Sequence, residues 1–142
     1  MPYREKVTWL TLIAMTATFG PYLAIMAVAP PTEPMPDFRT MALFAVAAVA
    51  QMLILGAGHL WLRISSPEDA RVPADERDRA IARRALGAAY YTLLVGMILV
   101  GIVMPFKSSG WTIINAAIAA ILVAEVVHHG VTIWSYRRGW HG

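Results

Sequence analysis

Glu125, His128 and His129 stand at i, i+3 and i+4 in an otherwise apolar run. On a helix that spacing puts all three on one face. A carboxylate and two imidazoles placed this way can exchange a proton or hold a metal ion. Ionisable groups inside an apolar span are costly, so each is read first as part of a site. Thr132 and Tyr136 continue the face within an arc of about 100° at 100° per residue. Gln51, His59 and Tyr90 interrupt other apolar runs and are candidates to complete this intramembrane polar cluster. A second group, Asp75, Glu76, Arg77, Asp78 and Arg79, is a dense patch of mixed charge and a candidate docking surface for a cytoplasmic partner.

Several chemistries are disfavoured at once. A carboxylate-bridged di-iron centre needs two Glu-x-x-His motifs and two further carboxylates; this chain has one motif and no second acid in an apolar run. A zinc, copper or haem site would draw on His59, about 6 Å from the inner end of its span, whereas His129 lies about 12 Å deep at 1.5 Å per residue. No metal and no cofactor is therefore expected. The absence of Cys excludes disulfide scaffolds, thiolate ligation and thiol catalysis. Neither a paired carboxylate, a Ser/His/Asp set nor a Gly-rich phosphate loop stands at the membrane face, so a non-enzymatic role is expected.

The elements that must position these residues follow from composition. Of 142 residues, 58% are hydrophobic and 15% charged, with mean hydropathy +0.55. A soluble domain is roughly a quarter charged, with its apolar residues dispersed. Here they collect into four runs, each near the ~20 residues that cross a ~30 Å hydrocarbon layer. The runs cover about 7–29, 41–62, 85–104 and 111–136, with a polar loop at 63–84. The expected fold is all-α: one domain, 1–142, folded as an antiparallel four-helix transmembrane bundle.

Charge sets the orientation. Arg4, Lys6, the six arginines of 63–84, Arg137 and Arg138 fall on one side, and Arg39 and Lys107 on the other. The positive-inside rule then puts both termini and the central loop in the cytoplasm, in a bacterial inner membrane. It also accounts for the +3 net charge without nucleic acid, and no direct nucleic-acid contact is expected. Trp9, Trp61, Trp111, Trp134 and Trp140 sit near span ends, as interfacial aromatics do. Gly20-Pro21 predicts a kink in the first span. Ala116, Ala120 and Ala124 form a small-residue stripe on the fourth, and Gly96 and Gly101 suit close approach on the third.

Two helix starts are legible in the loop. Ser66-Pro67-Glu68-Asp69 offers a hydroxyl cap, a first-turn Pro and acids. Val72-Pro73-Ala74-Asp75-Glu76 repeats the pattern, with Asp75 to Arg79 as an i,i+4 pair. No Pro interrupts 74–104, so the third span is expected to project one to three turns into the cytoplasm.

Glu5-Lys6-Val7-Thr8-Trp9, Phe19-Gly20-Pro21-Tyr22, Pro73-Ala74-Asp75-Glu76-Arg77-Asp78 followed by Ala89-Tyr90, and Tyr136-Arg137-Arg138-Gly139 resemble a group of small bacterial four-span membrane proteins of unknown function. The resemblance covers nearly the whole chain, and the Pro-x-Asp-Glu-Arg-Asp segment is its most specific part. It implies a helix-turn-helix regulator as cytoplasmic partner, and so membrane sequestration or sensing. The expected function is an accessory or regulatory protein. Its fourth-span Glu/His cluster senses protonation or a small ligand and signals through the cytoplasmic segment. The alternative is a proton-coupled transporter acting as a homodimer. Ala119-Ala120-Ile121-Leu122-Val123-Ala124-Glu125-Val126 is similar to the glutamate-bearing helix of the small multidrug resistance transporters, although that family carries its Glu on the first helix and this chain on the fourth.

Overall fold

The computed structural model describes residues 3–32, 34, 36–108 and 110–138. Gly139 and Trp140, both used in the reading above, lie outside the described residues. Helix α1 spans Tyr3–Val28, α2 Phe38–Ser65, α3 Pro67–Arg71, α4 Glu76–Ile98 and α5 Trp111–Arg137. Four helices are long and apolar enough to cross a membrane: α1, α2, α4 with its continuation to Phe106, and α5. All four begin or end beyond their apolar runs, because helical hydrogen bonding continues through the polar flanks.

Local sequence explains the ends. Asp37 caps α2, its carboxylate accepting from the Arg39 amide at 3.0 Å and from the Thr40 hydroxyl. Asp75 caps α4 by accepting from the Asp78 amide at 2.6 Å, and Asp78 reciprocates toward the Asp75 amide at 3.4 Å. This capping box satisfies two otherwise orphaned donors. It also occupies the Asp75 carboxylate, so the expected Asp75–Arg79 side-chain pair gives way to it. Ser66 occupies the N-cap of α3 without a capping side-chain bond; its hydroxyl accepts from Lys6 Nζ at 3.4 Å instead. The polar loop thus contracts to two short breaks around α3, and α4 starts 9 residues before Ala85. At its other end α4 widens into a π turn, Leu99–Val103, and tightens into a 3-10 turn, Met104–Phe106. Pro105 cannot donate to Gly101, so the ladder changes register there. Helix α1 continues through Pro21 to Val28.

α1 packs on α2 and on α5, and α4 packs on α5. Partner numbers fall along one helix as they rise along its neighbour. Lys6 meets Ser66 and Thr18 meets Gln51; Glu5 meets Arg137 and Tyr22 meets Asn115. Across α4 and α5, Asp78 meets Tyr136 and Arg84 meets Trp134. The two helices approach closely at Gly96 and Ala120, where a Cβ on the glycine would stand 2.8 Å from the alanine Cβ. Ala124, further along the stripe, is buried, whereas Gly101 faces open space. Small residues bring the backbones together where lipid supplies no hydrophobic drive between helices.

The buried cluster Tyr22, Met26 and Ala47 is small, with Phe19 and Phe44 stacked edge-on around Tyr22. Most large apolar side chains face outward. Val46, Met52 and Leu53 on α2 are 64–67% exposed, and Ile102 is 61% exposed. Leaving such surface in water costs about 25 cal/mol per Å². Hydrocarbon removes that cost, so the bilayer is the solvent these faces suit.

Candidate functional site

One carboxylate joins three helices. Asp78, fixed on the first turn of α4 by the capping box, accepts from the Tyr136 hydroxyl of α5 at 2.6 Å. Its other oxygen faces Arg4 Nε of α1 at 3.2 Å. Arg77 Nη2 donates to the Tyr136 carbonyl at 3.4 Å. Charge-assisted bonds of this kind are about twice as strong as neutral ones, and Asp78 is only 20% exposed, so water competes weakly.

Beside this knot lies a cavity of 510 Å³. Its walls come from Arg4, Val7 and Thr8 of α1, from Asp78, Arg79, Ile81 and Ala82 of α4, and from His128, His129, Thr132 and Tyr136 of α5. Asp69 and Ala70 of α3 and the following Val72 and Ala74 close one side. Asp69, Val72 and Arg79 are exposed while His128, His129 and Tyr136 are half-buried, so the cavity runs from the surface inward to the histidine pair.

There Glu125 Oε2 stands 3.6 Å from His128 Nδ1 and 3.6 Å from His129 Nε2. The two imidazole rings stack with centroids 5.0 Å apart and planes 22° from parallel. Thr132 Oγ1 donates to the His128 carbonyl at 2.9 Å. The cavity offers two imidazoles, the Thr8, Thr132 and Tyr136 hydroxyls and the Asp69 and Asp78 carboxylates around one polar space, suited to a small polar or cationic ligand; Glu125, its side chain 47% exposed, adjoins the histidines without lining that space.

The expected intramembrane cluster divides. Glu125, His128 and His129 come together as their spacing requires. Gln51 instead receives the Thr18 hydroxyl at 2.7 Å, tying α2 to α1. His59 turns Nδ1 onto its own helix at the Leu55 carbonyl, 2.7 Å away. Tyr90 is exposed and lies edge-on to Tyr91. All three follow from the neighbour order, since α2 packs on α1 rather than on α5, and from Tyr90 lying on an outer face of α4.

The expected partner surface divides too. Asp75, Glu76 and Arg79 are exposed, while Arg77 and Asp78 turn inward to Tyr136. Sequence reasoning treated the Glu/His cluster and the charged segment as separate features, and the cavity makes them neighbours. It missed Arg4, Thr8 and Asp69 as wall residues. A signal was available: Arg4, Asp78 and Tyr136 all lie at the same end of their spans, so the positive-inside arrangement already puts a cation, an anion and a phenol at one level.

The chain matches no family model, no curated protein and no solved structure. Its function is therefore read from the chemistry of this cavity.

Proposed function

We propose that the chain is a non-enzymatic accessory or regulatory protein of a bacterial cytoplasmic membrane, folded as an antiparallel four-helix bundle with both termini in the cytoplasm. The orientation is supported by the end that carries ten of the twelve basic residues, Arg4, Lys6, Arg63, Arg71, Arg77, Arg79, Arg83, Arg84, Arg137 and Arg138. The contacts Arg4–Asp78, Glu5–Arg137, Lys6–Ser66 and Asp78–Tyr136 gather at that same end. On this reading a small ligand enters from the cytoplasm and reaches His128 and His129. Its occupancy shifts the first turn of α4, and the exposed Asp75, Glu76 and Arg79 present the change to a cytoplasmic protein. A helix-turn-helix regulator is the partner suggested by the resemblance of the 73–78 segment.

One observation carries the reading: His128, His129 and Asp78 wall the same cavity. A ligand touching the histidines therefore shares its cavity with Asp78 in the first turn of α4, and Tyr136 binds Asp78 directly. The test places a photocrosslinker at Glu76 in native membranes. The reading expects a cytoplasmic protein to be captured, to be lost when Asp75 and Arg79 become Ala, and to change in yield in His128→Ala/His129→Ala. Capture of copies of this chain alone would overturn it.

A further inference from the structure

We propose that Glu125, His128 and His129 form a binding site for a divalent first-row transition metal ion, of which Zn²⁺ is the representative. This names the ligand of the cavity described above and rests on that reading only for its consequence, not for the binding itself.

The spacing of the donors is the first ground. One donor atom from each residue lies within 4.8 Å of the other two, and both carboxylate-to-imidazole separations are 3.6 Å. Hydrogen bonds of this type close to about 2.7–3.2 Å, so neither imidazole is hydrogen-bonded to Oε2. Two ligands on a tetrahedral ion with metal–donor bonds of about 2.0–2.1 Å stand about 3.3–3.4 Å apart. These two edges are therefore close to those of a coordination shell, and the third, within 4.8 Å, closes by imidazole rotation.

The environment is the second ground. Glu125 sits about 18 Å along α5 from Arg137 at 1.5 Å per residue, and among the described residues its carboxylate stands beside His128 and His129 of its own helix. An ionised carboxylate at that depth needs a counter-charge. A divalent ion supplies one and uses both imidazoles as neutral ligands. Two imidazoles and one carboxylate are the donor set of a three-ligand zinc site, with a fourth position left for water or an incoming group. The third ground is access, because His128 and His129 line the cavity while Asp69 and Asp78 stand along its outer part. The carboxylates favour a cation on its way in to the two imidazoles. His59, on another helix and turned to Leu55, is not required.

The test measures metal binding by the full chain in lipid nanodiscs after removal of adventitious metal, with Zn²⁺ for stoichiometry and Co²⁺ for its visible spectrum. The expected result is one ion per chain and the intense absorption of four-coordinate cobalt. Loss of an outer partner of a metal ligand alone costs about 10–100-fold in affinity. Glu125→Gln, His128→Asn and His129→Asn are each expected to weaken binding at least about tenfold. His59→Ala/His141→Ala is expected to keep both stoichiometry and spectrum, and circular dichroism checks that every variant is folded. Binding well below one ion per chain overturns the proposal, as does binding lost in His59→Ala/His141→Ala but kept in the three ligand variants. A site that binds metal without altering capture at Glu76 removes the signalling reading and leaves the metal site standing. An altered capture in the histidine variants without metal binding does the reverse.

Discussion

Tyr136 donates its hydroxyl to Asp78 across 2.6 Å, linking residues 58 positions apart and fastening the last turn of α5 to the first turn of α4. The same carboxylate holds Arg4 and completes a capping box, so one side chain serves three contacts. Tyr136→Phe removes one of them and Asp78→Ala removes all. A hydrogen bond to a charged group contributes about 1.5–3 kcal/mol, and a lost cap about 1 kcal/mol. Thermal unfolding in detergent is expected to show Asp78→Ala costing clearly more than Tyr136→Phe. Equal losses would mean that the Arg4 contact and the capping box contribute nothing.

Gly96 and Gly58 both stand at close helix approaches, with different consequences for a substitution. A Cβ on Gly96 would meet the Ala120 Cβ at 2.8 Å, a group that cannot rotate away. On Gly58 it would meet the Leu10 methyls at 2.6 and 2.7 Å, and those can swing to another rotamer. Gly96→Ala is therefore expected to destabilise by about 1–3 kcal/mol, and Gly58→Ala by distinctly less. Reversible unfolding in mixed micelles compares the two directly, and a larger loss at Gly58 would contradict the packing.

Asp37 sits outside the spans and caps α2. Its pKa lies below the ordinary 3.8, chiefly because the Thr40 hydroxyl bonds the carboxylate, with the Arg39 and Thr40 amides and the Arg39 charge adding to the effect. A depressed folded pKa means that the cap stabilises fully above the unfolded value and is lost as pH falls through the folded one. Amide exchange at the first turn of α2 is expected to speed up only below the ordinary carboxyl range. In Asp37→Ala it should be fast and independent of pH after correction for intrinsic rates. A cap lost near neutrality would contradict the assignment.

Topology is testable without background, because the chain has no Cys. A single Cys at Ser66 is expected to react with a membrane-impermeant thiol reagent only from the cytoplasmic side. A single Cys at Ser108 should react only from the opposite side. The reverse labelling pattern would invert the orientation and place the cavity outside the cell.

Much of this fold was legible because the bilayer imposes simple rules. Run length gave four spans, and the Pro-Ala-Asp-Glu start marked where α4 begins, well before its apolar run. The Gly96 and Ala120 approach was visible as small residues on two helices. Neighbour order was not legible, since apolar faces such as those of Val46 and Leu53 fit lipid as well as protein and carry no address. That is why Gln51, His59 and Tyr90 were grouped with Glu125, whereas the structure gives them to Thr18, Leu55 and Tyr91. The expectation of no metal rested on the depth of His59, whereas the site proposed above needs only three donors on one helix.

The central claim is that events at the histidine pair reach the start of α4, and hydrogen exchange by mass spectrometry on the full chain in nanodiscs tests it most directly. Wild type is compared with His128→Ala/His129→Ala and with Tyr136→Phe. The expected result is a several-fold change in exchange across residues 69–79 in both variants, with exchange along the α1–α2 contact unchanged. Identical exchange at 69–79 in wild type and in a folded histidine variant would contradict the claim.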